Sequence, residues 1–144
     1  MISVFVIASY ALSISERAAL PVNNWRLQDI LYIAQGHSLR ASGDALFPEH
    51  IYAWDEGPVV PEVFGKYKTF ADRLRPTDDR LPRISGDAMD IIRSVVEECG
   101  MFSDDELKTL VCSSSPWIEA HKDGPNGIIR KVVINDYFQR HKEI

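Results

Sequence analysis

The chain has 144 residues, 45% of them hydrophobic and 26% charged, with 16 Lys and Arg against 21 Asp and Glu for a formal net charge of −5. That balance excludes a disordered, collagen-like or coiled-coil chain and a multi-domain enzyme. It implies one domain over residues 1–144 that exposes roughly 7,500 Å² when folded. An acidic chain is also poorly suited to wrapping duplex DNA or lying on an anionic membrane, both of which need local positive charge.

The first twelve residues are apolar, but the first basic residue is Arg17 and the run is too short to span a bilayer, so it reads as the start of an amphipathic or buried helix over residues 3–18. Pro21 breaks that helix, and Asn23 or Asn24 can cap a second one over residues 25–41. There Leu27, Ile30, Leu31, Ala34 and Ser38 fall on one helical face, and Gly43 supplies the stop. Residues 46–54 are aromatic and β-branched around Pro48 and read as extended, with a short strand at most. A third helix is expected to start near Pro58 or Pro61 and to carry Val63, Phe64, Tyr67 and Phe70.

Residues 72–84 form the longest predicted loop. A fourth helix covers residues 86–99, with Ala88, Ile91, Ile92, Val95 and Val96 inward. Ser103 and Glu106 make a capping box for a fifth, which carries Leu107, Leu110 and Val111. Ser115 before Pro116 looks like the cap of a short sixth helix to about residue 122, and residues 123–127 form a turn. Residues 128–134 are β-branched and suit a strand beside Ile51. Asn135 is then the expected cap of a last helix to His141. The fold class is therefore mainly α, a compact domain of six or seven helices with at most a two- or three-stranded sheet.

Cys99 and Cys112 form no C-x-x-C pair or disulfide framework and read as reduced thiols of a cytoplasmic protein. His37, His50, His121 and His141 have no zinc-ligand spacing, and phosphate-loop, dinucleotide and nucleophile-elbow motifs are missing. Ser113, Ser114 and Ser115 would need a nearby base to act as nucleophiles. No catalytic residue, metal ligand or cofactor is assigned, and the chain reads as a non-enzyme. Glu97, Glu98, Asp104, Asp105 and Glu106 form an acidic run that suits a helix N-terminus. Residues 66–83 instead carry Lys66, Lys68, Arg73, Arg75, Arg80 and Arg83 against Asp72, Asp78 and Asp79, a net +3. They read either as a solvated loop or as a contact for RNA, DNA or an acidic protein.

Several blocks carry a resemblance. Leu27-Gln28-Asp29-Ile30-Leu31-Tyr32-Ile33-Ala34-Gln35-Gly36, then Leu46-Phe47 through Ala53-Trp54 to Gly57-Pro58-Val59-Val60-Pro61-Glu62-Val63, then Ser115-Pro116-Trp117 with Ala120, and finally Ile134 with Tyr137-Phe138 resemble, in order, the signature of the Panacea domain family. Asp29 stands where a Lys is usual, and His37 where an aromatic is common. The resemblance implies an antitoxin that neutralises a cognate protein toxin by direct binding, with proteolytic delivery of the toxin as an alternative; the charge of residues 66–83 offers a further alternative, a small nucleic-acid-binding regulator. It also implies that the domain fills the chain, with no DNA-binding extension. The implied partner is the toxin, in a hetero-complex or alongside a homo-oligomer, with no membrane and no cofactor, and nucleic acid is disfavoured.

For the partner surface, Gln28, Tyr32 and Gln35 share one helical face. Tyr32 and Trp54 are residue types enriched at binding hot spots, and Lys66, Lys68, Arg73 and Arg75 offer charge. The competing reading makes Trp54 a core residue against Pro58 and the second helix, and makes the two glutamines partners of buried backbone.

Overall fold

A computed structural model describes residues 1–68, 73–76 and 80–142, and among them it holds seven helices and three short strands. Helix α1 (Val4–Arg17) starts where the Ser3 hydroxyl accepts a hydrogen bond from the Phe5 N–H. Helix α2 (Asn24–Ser42) starts with Asn23 accepting from the Arg26 N–H and ends at Gly43, whose φ of 80° is the left-handed conformation that closes a helix. Residues 27–36 of α2 are all buried. The expected single inward face is therefore too narrow. The helix runs through the interior, with α1 and α4 (Gly86–Cys99), α5 (Asp104–Cys112) and α7 (Lys131–Arg140) packed around it.

Strand β1 (Ile51–Trp54) is the middle of an antiparallel sheet in the order β2–β1–β3, with β2 spanning Gly57–Val59 and β3 spanning Ile128–Ile129. Tyr52 lies opposite Val59, and Ile51 opposite Ile129. Of the two expected starts of the third helix, Pro58 and Pro61, the second is the one found. Pro58 belongs to a strand rather than to a helix start, which an edge strand tolerates because its missing N–H is not needed for the ladder. Helix α3 (Pro61–Lys66) begins at Pro61, a position where the lost donor costs nothing. Phe70 lies outside the described residues, as do Asp72, Asp78 and Asp79 of the basic segment.

The expected strand over 128–134 stops at Ile129, and α7 starts at Lys131, so Asn135 sits inside the helix rather than capping it. Ile134 and Phe138 are buried four residues apart against α2, and that helical period overrides β-branching. Ser103 and Glu106 do form the capping box on α5. Helix α6 (Ser115–His121) starts one residue earlier than expected, with Ser114 at the cap position and no side-chain cap bond. One hydrophobic core runs from Val4 to Phe138. No helix among the described residues is long and apolar enough to cross a membrane.

Candidate functional site

The polar side chains within residues 27–36 of α2 are buried, because that stretch of the helix is enclosed on all sides. Gln28, 1% exposed, accepts the Val60 N–H at 2.9 Å and donates to Asn24 at 3.1 Å. Gln35, also 1% exposed, donates to the Phe47 carbonyl at 2.9 Å and accepts the Leu46 and Phe47 N–H groups. The two amides thus act as clamps. They satisfy the extended segments on either side of the β1–β2 hairpin, whose backbone has no ladder partner at those points. Tyr32 is buried too, with its hydroxyl 2.8 Å from the Ser114 hydroxyl, and burial pushes its pKa upward. These three side chains therefore present no surface to a partner. They set the positions of the segments that do. Ser114 is drawn into the same contact and also donates to the Val111 carbonyl.

Trp54 is partly exposed. It lies edge-on to Phe64 at 5.5 Å and to Trp25 at 6.4 Å, and Trp25 meets Phe64 at 4.8 Å. These half-buried rings come from β1, α3 and the first turn of α2, and they form one aromatic cluster at the surface. Sequence reasoning placed Phe64 on the third helix without a surface role and passed over Trp25. The available signal was a large aromatic just past the Asn23 cap, outside the apolar face formed by Leu27, Ile30, Leu31 and Ala34. The Trp117 indole N–H donates to the Trp54 carbonyl at 3.0 Å and ties α6 to the sheet. His121 stacks on Trp117 and pairs with Asp55 at 2.8 Å.

The cationic candidates are separate from the α2 residues. Lys66, Lys68, Arg73 and Arg75 are exposed. The Lys66 ammonium sits 5.4 Å from the Phe5 ring centre. Between the two arginines, buried Leu74 donates its N–H to the Val22 carbonyl at 2.7 Å and pins this part of the segment beside the start of α2. The remaining histidines lie against aromatic rings, His37 on Phe138, His50 on Tyr52 and His141 on Tyr137. Among the described residues no three His, Cys, Asp or Glu side chains gather to hold a metal ion.

One acidic residue is misplaced by ordinary rules. Asp29 lies in the buried stretch of α2, and burial pushes its pKa up to about 8, against the smaller opposing pull of Arg26. Nearby, Arg26 is fully engaged. It donates to Asp104 at 2.8 Å, to the Cys99 carbonyl at 2.7 Å and to the Phe102 carbonyl at 2.6 Å, and so fastens α2 to the α4–α5 junction.

The model of one protein family, described as antitoxin SocA-like, Panacea domain, matches residues 27–118. That stretch takes in nearly all of α2, both strands of the β1–β2 hairpin, α3, α4, α5 and the start of α6, and so both glutamine clamps, the rings of Trp25's two partners and Asp29. No curated protein and no solved structure matches the chain. The family match covers well over half of the sequence, and the chain belongs to the antitoxin SocA-like Panacea domain family.

Proposed function

We propose that this protein is the antitoxin of a toxin–antitoxin pair and that it neutralises its toxin in the cytoplasm by direct protein–protein binding, with no catalytic step of its own. The family match over residues 27–118 carries the reading. The surface cluster of Trp25, Trp54 and Phe64 supports it, because half-buried aromatic rings held by neighbouring elements are the type of anchor that dominates binding energy. On this reading Trp54 touches the toxin directly. Gln28, Tyr32 and Gln35 act through the segments they hold, and Lys66, Lys68, Arg73 and Arg75 lie on a separate charged flank.

The test is co-expression with the product of the neighbouring reading frame. The expected result is growth inhibition by that product alone, rescue with this chain, and co-elution of the two at an undiminished toxin level. Rescue with a falling toxin level would replace occlusion by proteolytic delivery. A harmless neighbour would remove the antitoxin reading.

A further inference from the structure

Asp29 is 5% exposed, and among the described residues its carboxylate accepts no hydrogen bond and forms no ion pair. Its open side faces a cavity of about 220 Å³ between the first turn of α2, the β1–β2 turn and the start of α5. Glu56, Asp104 and Asp105 add carboxylates to the wall, and Trp25 adds an indole. Against these four acids stand Arg26, already committed to Asp104 and two carbonyls, and exposed Lys108. A buried carboxylate without a partner is costly, and a cation that enters beside it relieves that cost. The volume falls below the roughly 300–1,000 Å³ of small-molecule sites and suits the end of one long side chain.

We infer that this cavity receives one cationic side chain, an arginine or lysine of the bound partner protein, with its charged end between Asp29 and Glu56 and its stem along Trp25. The inference rests on the binding reading above and gives the partner surface a stated chemistry. Trp25 belongs to both features: it lines the cavity and packs against Trp54 and Phe64, so a partner anchored on the rings places its neighbouring residues at the cavity mouth. An indole face also favours a cation within about 6 Å.

The burial of Asp29 gives the site a pH dependence. The groups facing Asp29 are Arg26 from α2, Glu56 from the β1–β2 turn, Asp104, Asp105, Lys108 and Cys112 from α5, and Cys99 from α4. Burial raises both thiols, Cys99 to about 12, so they stay protonated while Asp29 titrates near 8. Below that pH a cation must displace the Asp29 proton, which weakens its binding by up to about tenfold per pH unit.

The experiment is an NMR titration of the full chain with Nα-acetylarginine amide and Nα-acetyllysine amide, and with Nα-acetylglutamine amide as the uncharged control, at pH 6 and pH 8. Saturable shifts are expected at the Trp25 indole and at the backbone of residues 23–29 and 56 with either cation, at least tenfold tighter at pH 8. Asp29→Asn is expected to weaken binding at pH 8 at least tenfold and to remove the pH dependence. Glu56→Gln, at an exposed residue, is expected to weaken binding with the fold intact. No saturable shift, equal shifts with the glutamine probe, or equal binding by the wild type and both variants would overturn the inference. The probes need no toxin. Failure here with growth rescue intact removes the cavity and leaves the antitoxin reading, and saturable binding without rescue does the reverse.

Discussion

At the scale of single residues, α2 shows how polar side chains earn a place inside a core. Gln35 satisfies three backbone groups that no strand reaches, and Gln28 satisfies one more at Val60. Removing such a partner leaves buried donors and acceptors unmet, at about 1–3 kcal/mol each before relaxation. Gln35→Ala is therefore expected to destabilise the protein by about 2–4 kcal/mol, read as a lower urea midpoint at unchanged slope. Tyr32→Phe is expected to lose only about 1 kcal/mol, because Ser114 keeps its bond to the Val111 carbonyl. Equal losses in the two variants would show that the clamp is not what Gln35 provides.

Asp29 makes the opposite contribution. Its pKa is raised from 3.8 to about 8 in the folded chain, so between those values the folded state holds a proton that the unfolded state has released. Stability from this group is complete below the lower value and is lost as pH rises to the upper one, by at most roughly 1.4 kcal/mol per pH unit. Asp29→Asn is expected to match the wild type near pH 4 and to exceed it increasingly up to pH 8, measured as urea midpoints across that window. Parallel pH profiles would show that the carboxyl group is not buried in solution.

At the scale of elements, the helices were legible where a cap, a period and a stop coincide. Asn23 with Gly43, Ser103 with Glu106, and the inward Val95 and Val96 of α4 all stand where local sequence signals put them. Gln28 and Gln35 as backbone partners were legible only as one of two readings. The strand at Pro58 and the early start of α7 were not legible, because both depend on what lies across the core. Val60 is held extended by a glutamine 32 residues away, and Phe138 is buried by contact with α2. Trp25 and Asp29 were missed as a pair for the same reason, since the cavity they line is completed by the β1–β2 turn and α5.

The α2–α7 contact is close at Gly36, and it yields a prediction whose sign is informative. Gly36 faces the Phe138 ring so closely that an added Cβ would lie 2.5 Å from it. In an open helix Gly→Ala stabilises by up to about 1 kcal/mol. Here Gly36→Ala is expected to destabilise by about 1–3 kcal/mol through overpacking. In a Phe138→Leu background the same substitution is expected to cost less, because the ring is gone. Additive losses in that double-mutant cycle would place the strain elsewhere.

At the scale of the whole molecule, the exposed surface is 7683 Å², close to the roughly 7,500 Å² expected of a folded chain of this mass. The chain thus closes on its own core, and if it binds a toxin as proposed, the affinity has to come from local features. Two such features differ in how they respond to salt. The aromatic cluster acts by desolvation, which salt barely affects, whereas the net charge of −5 acts over a screening length of about 8 Å at physiological ionic strength. If the toxin presents a basic face, its affinity for the wild type falls as salt is raised, mainly through slower association. Trp54→Ala keeps the backbone carbonyl that Trp117 uses, so the sheet and α6 stay joined while the ring is lost. This variant is expected to bind the toxin at least tenfold more weakly with its salt dependence unchanged, and to unfold at a somewhat lower urea midpoint because the half-buried ring is lost, while remaining folded under the binding conditions. Wild-type affinity by Trp54→Ala would remove the ring cluster from the interface, and a wild type insensitive to salt would remove charge as the basis of the match.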